Sequence, residues 1–213
     1  MNFDEFLVSL SKIKNIPLPA ETSQFKMSPP FRQELISSYK EAMKDAKRAG
    51  VLAMFYPDHS NQTHLALILR KTYKGVHSAQ IGFPGGKYED EDRTLKKTAL
   101  RETFEEIGVP EHHIEVIKQM TEVYIPPSNF YVQPFIGITM KTPHFIKQDD
   151  EVEAIIEVPL HHFLDNNIAV TKSVATSYTV KIDVPAYELN SHIVWGATAM
   201  MLSEIKDILK AVL

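Results

Sequence analysis

Residues 94–108, TLKKTALRETFEEIG, fix one element of this chain before any other. The spacing predicts a helix from about Thr94 to Ile107, with Gly108 as the residue that stops it. At about 100° per residue, Leu100, Phe104 and Ile107 share one stripe, the face expected in a core. Glu102, Glu105 and Glu106 cluster on nearly the opposite side, in the last turn and a half. That charge is unfavourable there, because the last carbonyls of a helix favour cations. Like charges at i,i+4 also repel by a few tenths of a kcal/mol, roughly. An ordinary solvated acidic face is the bland explanation. A local rule broken without evident compensation points instead to a functional site. A divalent cation supplies the compensation, since Mg²⁺ and Mn²⁺ take carboxylate oxygens and glutamates at i and i+4 can converge on one ion.

A helix with one apolar stripe needs a surface to cover, and the rest of the chain supplies strands. GVLAMFYP (50–57) and HLALILRK (64–71) are apolar runs split by the turn-rich DHSNQ, which predicts a hairpin. IEVIKQM, FYVQPFIGITM, EVEAIIEV and ATSYTVKIDV read as four further strands. Residues 3–12 and 31–48 have helical spacing. The Pro-rich PLPAETSQFKMSPPF between them is expected to wrap rather than pack. PLHHFLD reads as a short helix, and HIVWGATAMMLSEIKDILKAVL as a closing amphipathic helix. Strands and helices alternate irregularly. The expected class is therefore α+β, a mixed β-sheet sandwiched between α-helices. The expected division is a helical extension over residues 1–48, packed on a domain of residues 49–213.

The totals exclude several functions. At 213 residues the chain holds one sizeable core. A formal net charge of −4 leaves no basic stripe for nucleic acid and no polybasic membrane anchor. No apolar run approaches the roughly 20 residues that span a bilayer. The acidic, amphipathic MNFDEFLVSLSKIKNIPLP does not read as a signal peptide. Zero cysteines rule out disulfides, thiolate zinc sites and a cysteine nucleophile. The expectation is a cytoplasmic protein acting on a small molecule, with neither nucleic acid nor membrane as partner. A homodimer is compatible with these totals.

Upstream of the acidic helix lies FPGG (83–86). Pro84 ends a strand, and Gly85 and Gly86 free the backbone for a sharp turn and for close approach by a ligand. A turn there could bring a backbone carbonyl beside the glutamates. Gly86, Arg101, Glu102, Glu105, Glu106 and Gly108 together resemble the Nudix box, G-x5-E-x7-R-E-U-x-E-E-x-G-U with U apolar. RETFEEIGV matches its second half apart from Thr103 at the first apolar position. The first half departs: fourteen residues separate Gly86 from Arg101, where the consensus has thirteen, and the middle glutamate is missing. Asp92 or Glu91 can stand in for it. The stretch HSAQIGFPGGKYEDEDRTLKKTALRETFEEIGV is similar to the coenzyme A pyrophosphatase branch of Nudix hydrolases, in which an extended acidic loop follows FPGG. EVEAIIEVPL and HIVWGATAMML are similar to that branch as well. Ala79 stands where the branch has a glycine, and an arginine expected near Gly75 is absent, so Lys74 or Arg70 would cover its charge.

The resemblance implies a Nudix fold and metal-dependent pyrophosphohydrolysis with Mg²⁺ or Mn²⁺. Its substrate would be coenzyme A or a thioester, yielding a phosphopantetheine and adenosine 3′,5′-bisphosphate. Other outcomes are a broader nucleoside-diphosphate hydrolase acting on ADP-ribose or NADH, and a catalytically silent binding module. The intact Glu102, Glu105 and Glu106 set speaks against the last. By resemblance Glu102 and Glu106 are metal ligands, Glu105 is a further ligand, and the Gly86 carbonyl completes the shell. Arg101 braces the carboxylates. The general base is either Glu105 or Glu151 on the acidic KQDDEVE loop. His77 and Gln80 are candidates to contact phosphate or nucleotide, and Arg70 and Lys74 to meet the substrate's charge.

Overall fold

The computed structural model describes residues 1–71, 80–175 and 181–213. Its centre is the predicted hairpin, β1 (Lys47–Pro57) and β2 (Thr63–Arg70), paired antiparallel from Met54↔Ala66 to Pro57↔Thr63. On its other side β1 runs parallel to β7 (Phe130–Thr139), in register from Lys47↔Phe130 to Phe55↔Ile138. β3 (Ile81–Gly82) and β8 (Val152–Pro159) pair with β2. β4 (Gly85–Lys87) pairs with β1, and β5 (Ile114–Gln119) and β6 (Val123–Ile125) pair with β7. Among the described residues these form one mixed sheet of eight strands. A separate antiparallel sheet holds β9 (Ala169–Ala175), β10 (Lys181–Leu189) and β11 (His192–Trp195).

Helices cover both faces of the large sheet, which is why the β1 and β2 sequences are nearly all apolar. Leu52, Met54 and Tyr56 face the acidic helix, α4 (Leu95–Ile107), and pack with Ala66, Ile68, Ala99 and Ile107. Ala53, Phe55, Leu65 and Leu67 face the other way. They meet α1 (Phe3–Ile13), through Phe3, Phe6 and Leu10, and α6 (Gly196–Lys210), through Met200, Leu202 and Ile205. Among the described residues no helix is long and apolar enough to cross a membrane.

Four local expectations need correction. Within residues 31–48 only α3 (Arg32–Ser38) is α-helical, since Ala42–Asp45 forms a 3₁₀ turn and Lys47 already belongs to β1. Strand pairing of Lys47 and Arg48 with Phe130 and Tyr131 overrides the helical spacing there. The Pro-rich stretch packs rather than wraps. It contains α2 (Glu21–Gln24) and buries Ser23, Gln24 and Met27. Glu204 of α6 explains this. Its fully buried carboxylate accepts from Ala20 N at 3.1 Å, Gln24 Nε2 at 3.3 Å, Thr121 N at 3.2 Å and Thr121 Oγ1 at 2.5 Å. At the C-terminal end, residues 192–195 form β11, and the helix begins only at Gly196, whose φ is 64°. Of ATSYTVKIDV, residues 176–180 lie outside the described residues, and its two ends belong to β9 and β10. PLHHFLD gives α5 (Leu160–Leu164), as expected.

Candidate active site

The acidic helix is pressed onto β1 at Gly50, where an added Cβ would stand 2.2 Å from the Leu95 carbonyl oxygen. So close an approach admits only small side chains beneath the helix. Ala99 is the residue seated over Gly50, and the helix also buries Thr98, Thr103, Glu106 and Ile107, with the Thr103 hydroxyl donating to the Ala99 carbonyl at 2.6 Å. This corrects the expected stripe, because Phe104 is 50% exposed. It also turns Glu106 inward. Thr94 caps the helix start by accepting from Lys97 N at 3.2 Å, and Gly108 ends it with φ 75°.

Glu106 is 1% exposed and is held from two sides. Gly85 N–H donates to Oε2 at 2.7 Å, and Arg70 Nη2 donates to Oε1 at 3.0 Å. The same Nη2 donates to the Gly85 carbonyl at 2.7 Å. Burial pushes the Glu106 carboxyl up to about 7. Arg70 and the Gly85 N–H oppose that rise, and the charges of Glu102 and Glu151 add to it. Glu102 is also raised, by burial first and then by Glu105 and Glu151, against the pull of Arg101. Its carboxylate lies against Gly86, where a Cβ would come within 2.4 Å of the carboxyl carbon. The close approach at Gly86 is made by the protein's own Glu102 side chain, where the di-glycine turn predicts the approach of a ligand.

Arg101 braces the outer carboxylates. Nη1 donates to Glu102 Oε1 at 3.0 Å and to Glu105 Oε2 at 2.9 Å. Its other edge forms a fork on Asp92, Nε to Oδ1 at 2.8 Å and Nη2 to Oδ2 at 2.9 Å. Asp92 also accepts from Thr98 Oγ1 at 2.8 Å. Arg101 holds the Asp92 carboxyl down at about 2. Of the two acids proposed for the missing glutamate, Asp92 is the one that is buried and paired.

The structure therefore brings together Glu102, Glu105, Glu106, Arg101, Gly86 and Arg70. Glu151 joins them through its charge on Glu102 and Glu106. Gln80 is placed by its backbone carbonyl, which accepts from Arg70 N at 3.0 Å. Lys74 and His77 lie outside the described residues. Sequence reasoning missed the Gly85 amide and carbonyl and the engagement of Arg70 with Glu106. FPGG was the available signal for the first, whereas the second is a contact between elements.

The donor set fits a hard divalent cation. It is all oxygen, from carboxylates one helical turn apart beside a turn whose Gly85 carbonyl already faces a cationic nitrogen. Burial and mutual repulsion raise Glu102 and Glu106, and a bound cation offsets both effects. Among the described residues no three His, Asp or Glu side chains stand in ligation geometry. Arg101 pairs with Glu102 and Glu105, and Arg70 with Glu106.

Comparison with known proteins agrees with this reading. A family model described as NUDIX domain matches residues 46–176. The chain belongs to the Nudix family, whose enzymes hydrolyse phosphoric anhydrides. It is 28% identical over 155 residues to the peroxisomal coenzyme A diphosphatase ndx-8 of Caenorhabditis elegans. That match covers 72% of this chain and 64% of the relative, so the chain spans less than two thirds of that relative's length. It is also 28% identical over 142 residues to the Nudix hydrolase NudL of Yersinia pestis, covering 66% of this chain and 70% of that protein. A crystal structure of the Nudix hydrolase RenU from M. smegmatis superposes with a TM-score of 0.54 at 15% identity, covering 79% of this chain and 88% of that one. It shows the shared fold alone.

Proposed function

We propose that this protein is a divalent-metal-dependent pyrophosphohydrolase that cuts the diphosphate of coenzyme A or its thioesters. The products would be a phosphopantetheine and adenosine 3′,5′-bisphosphate, and Mg²⁺ or Mn²⁺ would serve as cofactor. The observation that supports the hydrolase reading is the meeting of Glu102 with Gly86 and of Glu106 with the Gly85 N–H at one turn. The substrate reading is supported by the resemblance at HSAQIGFPGG and HIVWGATAMML and by the similarity to ndx-8, a coenzyme A diphosphatase.

When bound, the ion neutralises the diphosphate and makes hydroxide available near neutral pH. Glu102 and Glu106 would hold it, with Glu105 as a further ligand. Of the two glycine carbonyls, that of Gly85, which shares an Arg70 nitrogen with Glu106, would take the place expected for Gly86. Arg101, fixed by Asp92, keeps Glu102 and Glu105 in place. Glu151 acts as general base and takes the proton of the attacking water on its carboxylate, since the other candidate, Glu105, is held by Arg101. Glu151→Gln should lower kcat about 100-fold with Mn²⁺ affinity kept. A wild-type kcat would pass the role to Glu105.

One observation favours a broader nucleoside-diphosphate hydrolase. Arg70, a candidate partner for the 3′-phosphate, is engaged by Glu106. A panel of coenzyme A, dephospho-coenzyme A, NADH and ADP-ribose under one metal condition decides between the two. Coenzyme A should lead in kcat/KM, and removing its 3′-phosphate should lower that value about ten- to a hundred-fold. ADP-ribose or NADH ahead of coenzyme A would overturn the substrate assignment.

A further inference from the structure

We infer that Arg70 is the resident cation of the Glu106 site, and that it releases Glu106 and turns to a phosphate of the substrate once the site is loaded with a divalent ion. The inference rests on the metal-dependent reading above.

A single nitrogen of Arg70 bridges two oxygens from different elements, the Gly85 carbonyl at 2.7 Å and Glu106 Oε1 at 3.0 Å. A positive charge shared between a carbonyl and a carboxylate is what a hard divalent cation would also seek at this point. Arg70 is the solvent-facing member of the pair, since its side chain is 27% exposed and that of Glu106 is 2% exposed. Two cations on one carboxylate oxygen repel strongly in a partly buried setting, so the guanidinium and a divalent ion exclude one another there.

What stays behind when Arg70 leaves separates this role from simple bracing. Glu106 keeps its second anchor, the Gly85 N–H on Oε2 at 2.7 Å, so its carboxylate remains aimed. Arg70 keeps its backbone, fixed by the N–H bond to the Gln80 carbonyl and by pairing with Val152. Only the side chain needs to move. Arg101 is built differently. Its fork on Asp92 and its bonds to Glu102, Glu105 and the Lys87 carbonyl tie both edges of the guanidinium, so it stays in place. A guanidinium freed beside the diphosphate offers the planar fork that matches phosphate oxygens. One residue thus stabilises the unloaded site and then contributes to substrate binding, which makes loading of the ion favour binding of the phosphate.

The test uses the full chain and Mn²⁺ as probe, with free Mn²⁺ followed by electron paramagnetic resonance and stability by thermal melting. Wild type should melt higher with Mn²⁺ present. Arg70→Gln should melt lower than wild type without metal, bind Mn²⁺ at least threefold more tightly, and show a larger Mn²⁺-induced rise in Tm. Its KM for coenzyme A should rise about tenfold or more. Equal or weaker Mn²⁺ binding in Arg70→Gln overturns the inference and makes Arg70 a positioning residue for Glu106. Arg70→Lys keeps a point charge without the fork, so it should retain wild-type Mn²⁺ affinity and still raise KM. This decides the matter should the glutamine variant fail to fold, because a wild-type KM in Arg70→Lys overturns the proposal. A wild-type protein that responds to Mn²⁺ in neither measurement sinks the metal-dependent reading itself, and the role of Arg70 with it.

Discussion

Asp92 sits where the loop after Lys87 turns into the acidic helix, and its carboxylate gathers Arg101, Thr98 and the Glu89 N–H. Its folded pKa of about 2 lies below the ordinary 3.8. A carboxyl depressed on folding contributes stability that is fully present above its unfolded value and is lost as pH falls through the folded value. Wild type should therefore lose about 2 kcal/mol between roughly pH 4 and pH 2 from this group alone. Asp92→Asn should be less stable than wild type at pH 7, and its urea midpoint should fall less steeply across that acid window. Equal slopes in the two proteins would show that Asp92 is not the linked group. Spacing alone left Asp92 and Glu91 as alternatives. The 3₁₀ turn Asp90–Asp92 separates them by burying the first and exposing the second.

At the scale of the element, the seat of α4 on β1 decides where the carboxylates point. The contact at Gly50 leaves no room for a methyl group. Gly50→Ala has to lift the helix, which should lower stability by about 1–3 kcal/mol and weaken Mn²⁺ binding through displaced Glu102 and Glu106. Chemical denaturation and a Mn²⁺ titration together check this, and a variant unchanged in both would remove Gly50 from the account. The existence and ends of this helix were legible in the sequence, because Thr94 and Gly108 are local signals. Its rotation was not. Periodicity put Phe104 in the core and Glu106 outside it, since a hydrophobic count cannot see a glycine on a strand some fifty residues earlier. The motif register did better at one point. It places an apolar position at Thr103, and Thr103 is buried. The hairpin, β5, β7 and β8 were legible for the same local reason, whereas the two- and three-residue strands β3, β4 and β6 are too short to show a period. β11 was not, because HIVW runs straight into a helical pattern. The engagement of Arg70 with Glu106 was hidden because it joins β2 to α4, and no spacing rule connects those positions.

The whole molecule is tied together by groups far apart in the chain. Glu204 near the C-terminus satisfies donors at Ala20, Gln24 and Thr121, and Ser203 Oγ donates to the Ser23 carbonyl at 2.7 Å. Lys118 Nζ donates to the Ile13 and Ile16 carbonyls at 3.0 Å and 2.8 Å, closing the end of α1. We therefore propose that residues 1–48 are an integral layer of the domain. The parallel pairing of β1 with β7 joins positions far apart in the chain, from Lys47 with Phe130 to Phe55 with Ile138. It has a consequence for synthesis. The ribosome completes β1 and β2 about sixty residues before β7 begins, so the nascent hairpin carries an open edge, apolar from Ala49 onward and headed by Lys47 and Arg48, for several seconds at ordinary elongation rates. The strand at the heart of the finished sheet is, while the chain is being made, an open edge for mispairing with another chain.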